Sequence, residues 1–333
     1  MSTVFDTTPP NFSIVEIKEI LLSFFKIVGQ PILLYSDRDQ IFYINSSLNQ
    51  KYILKISNPS ENIRNLEIQN KAISLIQTKD SKIKLPIQIG EIVRIKKNGN
   101  KFYVRLLEYI EGKFFNDINI VDISYLKIGK FFGRLSQSLA QFEQPSTEPS
   151  FEWDVRNIKA IRSRLSFLDN QSEKSTVLHF LNEYESNVMV HSSNLRHATI
   201  HNDGNEHNIL VDNLGNAVGI IDFGDMVYSY QVAEPAVCMA YIGLGKKQPF
   251  LAMFDLLKGY HSSFPLNHLE LKSVLYLSCI RLCISVTMSA WRTKLFPSND
   301  YLRVSQNKAW ALLRKIELED LNELSDKIII YAK

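Results

Sequence analysis

The chain is predicted to be α+β and two-lobed, with a small β-rich N-lobe carrying one key helix and a larger, mostly helical C-lobe. Three observations predict this. Up to about residue 109, short alternating apolar segments are separated by polar turns and interrupted by one amphipathic stretch. After Glu111-Gly112 the apolar period changes to the helical one. Within that helical half, an acidic segment at 201–225 is flanked by short strand patterns, so turns carry its polar side chains.

Element by element, residues 1–12 read as a flexible tail. Residues 13–28, SIVEIKEILLSFFKIV, space their apolar side chains as a helix does, behind Ser13 as N-cap. Segments 31–35 and 40–45 read as strands around the turn Ser36-Asp37-Arg38-Asp39, and KYILKI at 51–56 alternates as a strand. Residues 62–77 form the amphipathic helix, with Ile63, Leu66, Ala72, Ile73 and Ile76 mostly on one side. Strands near 87–95 and 102–109 follow, joined by Lys97-Asn98-Gly99-Asn100. The N-lobe is thus 13–108 and the C-lobe 109–333, with a hinge near 107–112 and a nucleotide cleft expected between them. The C-lobe helices are expected at 122–143, 155–168, 173–195, 231–243, 249–261, 268–293 and 301–317. Its strands are expected at 208–212 and 217–222, around the turn Asn213-Leu214-Gly215-Asn216.

Bulk properties exclude several classes. A length of 333 residues with 45% apolar and 22% charged content suits two lobes with buried cores. Net charge is +3 without a dense Lys/Arg run, so no nucleic-acid partner is expected. The three cysteines match no disulfide or zinc spacing. Cys279 and Cys283, four apart, share a helix face as apolar fillers, which implies a reducing compartment. MSTVFDTTPPNF lacks the basic start and apolar core of a signal peptide. The apolar stretch 273–290 is interrupted by Arg281 and is too short to span a bilayer. The expectation is a cytoplasmic protein with no membrane partner; its oligomeric state stays open.

The chemistry lies in HNDGNEHNILVDNLGNAVGIIDFGD, 201–225. Phosphoryl transfer from a nucleotide needs a carboxylate near the acceptor hydroxyl and oxygen ligands that hold Mg²⁺ on the phosphates. Asp203 fits the first role; Asn208, five residues on, and Asp222, at the end of the apolar run Val218–Ile221, fit the second. Each residue alone could cap a turn, but the set at these intervals reads as a kinase catalytic loop. His201 is read as holding the loop by hydrogen bonds, because no third nitrogen or sulfur ligand lies near it and His207.

Lys55, inside KYILKI, is costly to bury unless paired. It is assigned to the nucleotide phosphates with Glu67 as its partner; Lys51 and Glu61 are the rivals. The Ser36–Asp39 turn takes the place of a glycine-rich phosphate loop, with Arg38 adding charge. Glu108 and Tyr109, at the expected hinge, complete the nucleotide set. Recognition of an amine needs acids, and an amino acid needs an arginine for its carboxylate. Glu206, Asp225 and Arg281 are the candidates, and Glu234 is read as a support for the loop.

HNDGNEHNILV followed by GIIDFGD resembles the aminoglycoside phosphotransferase and choline kinase superfamily, which implies a bilobal protein-kinase-like fold. SDRDQIFYI, YILKISNP, LEIQNKA, Trp153-Asp154, IDFGDMVYSYQVAEPAVCMAY, RLCISVTMSAW and KAWALLRKI look like the hydroxylysine kinase branch, over most of 35–316. The resemblance implies transfer of the γ-phosphate of ATP or GTP to a hydroxyl of a small amine-bearing or amino-acid acceptor. That branch phosphorylates 5-hydroxy-L-lysine with GTP. It also implies Asp203 as base, Asn208 and Asp222 as Mg²⁺ ligands, and Lys55 with Glu67 on the phosphates. One departure is Asn202, where the family has glycine; Asn is the residue that next best tolerates left-handed backbone angles. Choline, ethanolamine, homoserine and aminoglycosides stay open as acceptors. A protein kinase is disfavoured because no A-P-E segment follows Asp222. A catalytically dead, nucleotide-binding regulatory module is disfavoured because all three acidic-loop residues are present.

Overall fold

The structure is a computed structural model that describes residues 4–117, 124–142, 151–297, 299, 302 and 306–332. The ends of the helix expected at 122–143 and the start of that expected at 301–317 lie partly outside the described residues, as do residues 1–3 of the expected tail. The chain divides into two compact units, residues 1–74 with 84–111, and residues 75–83 with 112–333. The expected mixture of a small antiparallel sheet and a helical remainder is found.

In the first unit, α1 (Ile14–Ile20) starts with a full capping box, Ser13 Oγ accepting from Glu16 N and Glu16 returning the bond to Ser13 N. The helix expected to reach residue 28 stops early. A π turn at Leu21–Phe25 ends on Lys26 in the left-handed region, φ 58°. The following apolar residues lead into strand β1 (Gly29–Leu34). With β2 (Gln40–Ser46), β3 (Lys51–Ile56), β4 (Gln88–Lys97) and β5 (Asn100–Glu108) it forms an antiparallel sheet ordered β1-β2-β3-β5-β4. Asn98 and Gly99, both at positive φ, make the β4–β5 turn the tight type that suits strand twist. Phe42, Ile44, Leu54, Ile56, Val104 and Leu106 pack with Ile17, Leu21 and Phe12 as its core. The segment expected as a flexible tail is tied down over 4–12: Phe5 and Phe12 are buried, and Thr7 Oγ1 donates to Asn58 Oδ1 at 2.7 Å. The two buried aromatic side chains, with the hydrogen bonds of Thr7 to Asn58 and of Phe12 N to Gln40, hold it against the sheet. The amphipathic helix is α2 (Ile63–Lys79).

The second unit holds α3 (Tyr125–Leu139), α4 (Ile158–Arg164), α5 (Gln171–Asn187), α6 (Ala233–Ile242), α7 (Pro249–Ser263), α8 (His268–Leu295), α9 (Gln306–Glu317) and α10 (Leu321–Ala332). Helix α8 is its axis, packing against α4, α5, α6, α9 and α10. It runs 28 residues, longer than the pattern implied, and is long and apolar enough to cross a membrane. Its apolar window is, however, 89% buried inside the protein, so burial against other helices accounts for the composition. Gly129 on α3 and Gly259 on α7 let those helices touch: a Cβ at either would lie 1.8 Å from Leu256 O or 1.9 Å from Leu126 O.

The strands are β6 (Lys113–Phe114), β7 (His197–Ile200), β8 (Ile209–Val211), β9 (Ala217–Ile220) and β10 (Val227–Tyr230), in a sheet ordered β6-β8-β9 and a β7–β10 pair. β8 and β9 fall inside the expected 208–212 and 217–222. The sequence reading contained no β6, β7, β10 or α10. Four-residue strands such as HATI and VYSY are too short to display a period, and pairing across 27 residues forms them. The helices expected at 155–168 and 173–195 are shorter, each closing in a 3₁₀ turn.

Candidate active site

The loop between β7 and β8 delivers the acidic residues, and its shape is fixed from beneath. Glu234, fully buried at the start of α6, accepts from His201 N (2.6 Å) and Asn202 N (3.3 Å). Burial pushes the Glu234 carboxyl up to about 7, with the two amides drawing it back. The support role read from sequence is what this residue performs. Asn202 sits at φ 64°, the left-handed angle its glycine-like position requires. Its side chain adds what glycine could not: Nδ2 donates to Asp225 O (3.1 Å) and to Trp153 O (3.4 Å). Gly204 is obligatory for another reason, since a Cβ there would meet Cys238 Sγ at 2.4 Å and the Phe132 ring at 2.7 Å.

His201 is buried with both ring nitrogens engaged. Nδ1 accepts from Asp203 N (3.3 Å), Nε2 faces Ile221 O (3.1 Å), and the ring packs edge-on to Phe223. It therefore holds the base and the Asp222 strand in one frame. Desolvation lowers its pKa to about 4, so the ring stays neutral. The folded value lies below the usual 6.5; this group's contribution to stability is present above about pH 6.5 and is lost as pH falls toward 4. Nitrogen-15 NMR is expected to show His201 as the neutral Nε2–H form at pH 5.5; a charged ring there would contradict this geometry.

Asp203 is held from three sides. Oδ1 accepts from Asn205 Nδ2 (2.9 Å) and Arg281 Nη2 (3.1 Å), and Oδ2 accepts from Asn208 Nδ2 (2.6 Å). Its side chain keeps 18% exposure, enough for an incoming hydroxyl. Burial and the neighbouring Asp225 push its pKa above the ordinary carboxylate range, while Arg281 pulls it down. Asn208 spends its amide nitrogen on Asp203, also donating to Asp203 O at 3.0 Å, which leaves Oδ1 for a cation. Asp222, at φ 59°, accepts from Gly224 N at 3.2 Å and follows β9, where Ile221 N donates to Asn208 O at 3.0 Å. Two oxygen donors suit Mg²⁺ carried on phosphates. No group of three or more His, Cys, Asp or Glu among the described residues could hold a metal by itself.

The expected acceptor residues separate. Arg281 was assigned to an acceptor carboxylate, but it is 1% exposed and already committed. It donates to Asp203, to Trp153 O (3.0 Å) and to Tyr241 Oη (3.2 Å), with its guanidinium 4.4 Å from the Trp153 ring. Its donors position Asp203. Asp225 is buried, and its charge acts on Asp203, Arg281 and His201. Glu206 stays accessible; its Oε2 is shielded and, among the described residues, has no hydrogen-bond partner. Its charge is felt by Tyr241, which sequence reading did not single out.

In the first unit Lys55 is buried as expected, but its partner is Asp39, 3.1 Å away, and Glu67 stands exposed on α2. The residue that α2 turns to the sheet is Gln69, two positions on, which accepts from Arg105 Nη1 at 3.0 Å. Arg105 pairs in register with Lys55 across β3 and β5, so two buried cations lie side by side. The signal that singled out Lys55, a base inside an apolar strand, was equally present in FYVRLL. Arg38 stacks on Phe5 at 5.0 Å, and its carbonyl accepts from Asn58 Nδ2 at 3.2 Å. Glu108 is exposed at the end of β5 with its N–H spent on Ile87 O, and Tyr109 packs edge-on to Tyr43.

A family model described as APH, phosphotransferase enzyme family, matches residues 35–262. The chain is 28% identical over 293 residues to hydroxylysine kinase of Mus musculus, covering 80% of this chain and 77% of that protein. Among solved structures it is similar to a microcompartment-associated aminopropanol kinase, at 15% identity and TM-score 0.75, covering 93% of this chain and 99% of the other. It is also similar to amicoumacin kinase hAmiN in complex with AMP-PNP, Ca²⁺ and Ami, at 15% identity and TM-score 0.66, covering 94% and 93%.

Proposed function

From the premise that the chain belongs to the phosphotransferase enzyme family, we propose that this small-molecule kinase phosphorylates a hydroxyl of a small amine-bearing amino acid, with 5-hydroxy-L-lysine the first acceptor to test. The observation that carries the chemistry is the Asp203 carboxylate, pinned by Asn208 and Arg281 with one edge open. The acceptor oxygen forms a bond to the γ-phosphorus of ATP or GTP as the bond to the β,γ-bridging oxygen breaks. Asp203 orients the hydroxyl and takes its proton, and a nucleoside diphosphate leaves. Asn208 Oδ1 and the Asp222 carboxylate would hold Mg²⁺, which neutralises charge on the phosphates when bound. Lys55, buried on β3 beside Asp39, handles the phosphates. Glu206, with a shielded oxygen wanting a donor, is the group for the acceptor amine. The likeness to hydroxylysine kinase supports the acceptor class.

The test is a coupled phosphorylation assay with Mg²⁺, run with both ATP and GTP on 5-hydroxy-L-lysine, choline, ethanolamine, homoserine and an aminoglycoside. Turnover on hydroxylysine above the others is expected. Preference for choline or an aminoglycoside would keep the mechanism and overturn the acceptor.

A further inference from the structure

Arg164 closes α4 and packs against α8 with 8% exposure. Three other arginines of this unit are spent on acids at closer range: Arg156 reaches Asp154 at 2.6 Å, Arg196 reaches Glu270 at 2.6 Å, and Arg281 reaches Asp203 at 3.1 Å. Arg164 differs. Among the described residues its guanidinium makes no hydrogen bond; its one ion pair, to Glu152 Oε1, is 3.7 Å long, and its face lies 4.5 Å from the Trp291 ring. Burial accordingly lowers its pKa, offset only by Glu152. A guanidinium with so little exposure and its donors unspent on protein keeps N–H groups available to a planar, doubly accepting anion. About 9% of its side chain still meets solvent, so such a partner can arrive.

Its neighbourhood leads to the reaction centre. Glu152 precedes Trp153, whose carbonyl accepts from both Arg281 and Asn202, and Arg281 in turn holds Asp203. Along α8, Arg281 and Trp291 are ten residues apart, roughly 15 Å of helix rise. We propose that Arg164, backed by Trp291, receives the carboxylate of the acceptor, so that the acceptor is an amino acid whose hydroxyl lies several carbons from its carboxylate. This rests on the kinase reading and deepens it. It also moves the carboxylate role from Arg281 to the arginine that still has donors to give.

The experiment compares 5-hydroxy-L-lysine, its decarboxylated diamine analogue and L-serine on the full-length wild-type chain and Arg164→Met, by calorimetric binding and by turnover with Mg²⁺ and nucleotide. Wild type is expected to prefer hydroxylysine over both others by roughly tenfold or more. Arg164→Met should raise the Kd and KM for hydroxylysine about tenfold, toward the diamine values, and leave the diamine and the nucleotide unaffected. Should that variant fail to fold, Glu152→Gln, which removes the competing charge, is expected to tighten hydroxylysine alone. An equal effect on acid and diamine, equal wild-type affinity for the two, or no hydroxylysine binding would overturn the proposal. The two readings fail separately. Turnover of a carboxylate-free amine alone would sink the subsite and leave the kinase. Arg164-dependent binding without phosphate transfer would do the reverse.

Discussion

Asp203→Asn is expected to lower kcat by about a thousandfold, within the usual range for a positioned general base, and to leave nucleotide affinity within about twofold. The amide keeps the volume of the carboxylate and a bond to Arg281, but it cannot take a proton, and its N–H groups then face Asn208 Nδ2, donor against donor. Asp222→Ala should fail differently, by losing metal-dependent nucleotide binding itself. Calorimetric titration of the Mg²⁺–nucleotide, paired with turnover of whichever acceptor the panel identifies, distinguishes the two. Normal turnover in both variants would remove the roles assigned to these residues.

Arg281→Met is expected to have the second largest effect. It strips donors from Asp203 Oδ1, Trp153 O and Tyr241 Oη together and leaves a carboxylate beside Asp225 with its counter-charge gone. Breaking a buried ion pair from one side typically costs on the order of 3 kcal/mol, because the remaining charge stays desolvated. A thermal shift of several degrees and a fall in kcat larger than any rise in KM are the expected readings. Arg281→Lys should recover part of the stability, since it keeps the charge, but little of the rate, since an ammonium cannot span three acceptors. A variant with unchanged melting and unchanged kcat would show that the base is positioned without this residue.

The legible part of the site was local. Asp203, Asn208 and Asp222 lie on one loop and the short β8–β9 hairpin it leads into, so local turns bring them together. Glu234 as loop support and His201 as a loop-holding ring followed from the same segment. Lys55 was legible as a buried base, because an alternating strand fixes which face each side chain takes. Its partner was not, because helix phase relative to a sheet is set by packing: α2 presents Gln69, and Asp39 arrives from a turn. Strands β7 and β10 were missed for the kindred reason that neither has a period of its own.

The sequence by itself determined the α+β class, the run of strands with one helix before the helical half, and the spacing of Asp203, Asn208 and Asp222 in its acidic loop. These depend on propensity, periodicity and short-range spacing, which are properties of the chain. Tertiary structure alone decided which arginine spends its donors on Asp203 and which keeps them. Arg281 and Arg164 look alike in sequence, as bases in helical segments. One is buried with its donors spent on Asp203, Trp153 O and Tyr241 Oη, and the other is buried with its donors unspent. Burial and hydrogen-bond saturation belong to the packed interior, where residues 78 positions apart meet, and no local pattern encodes them.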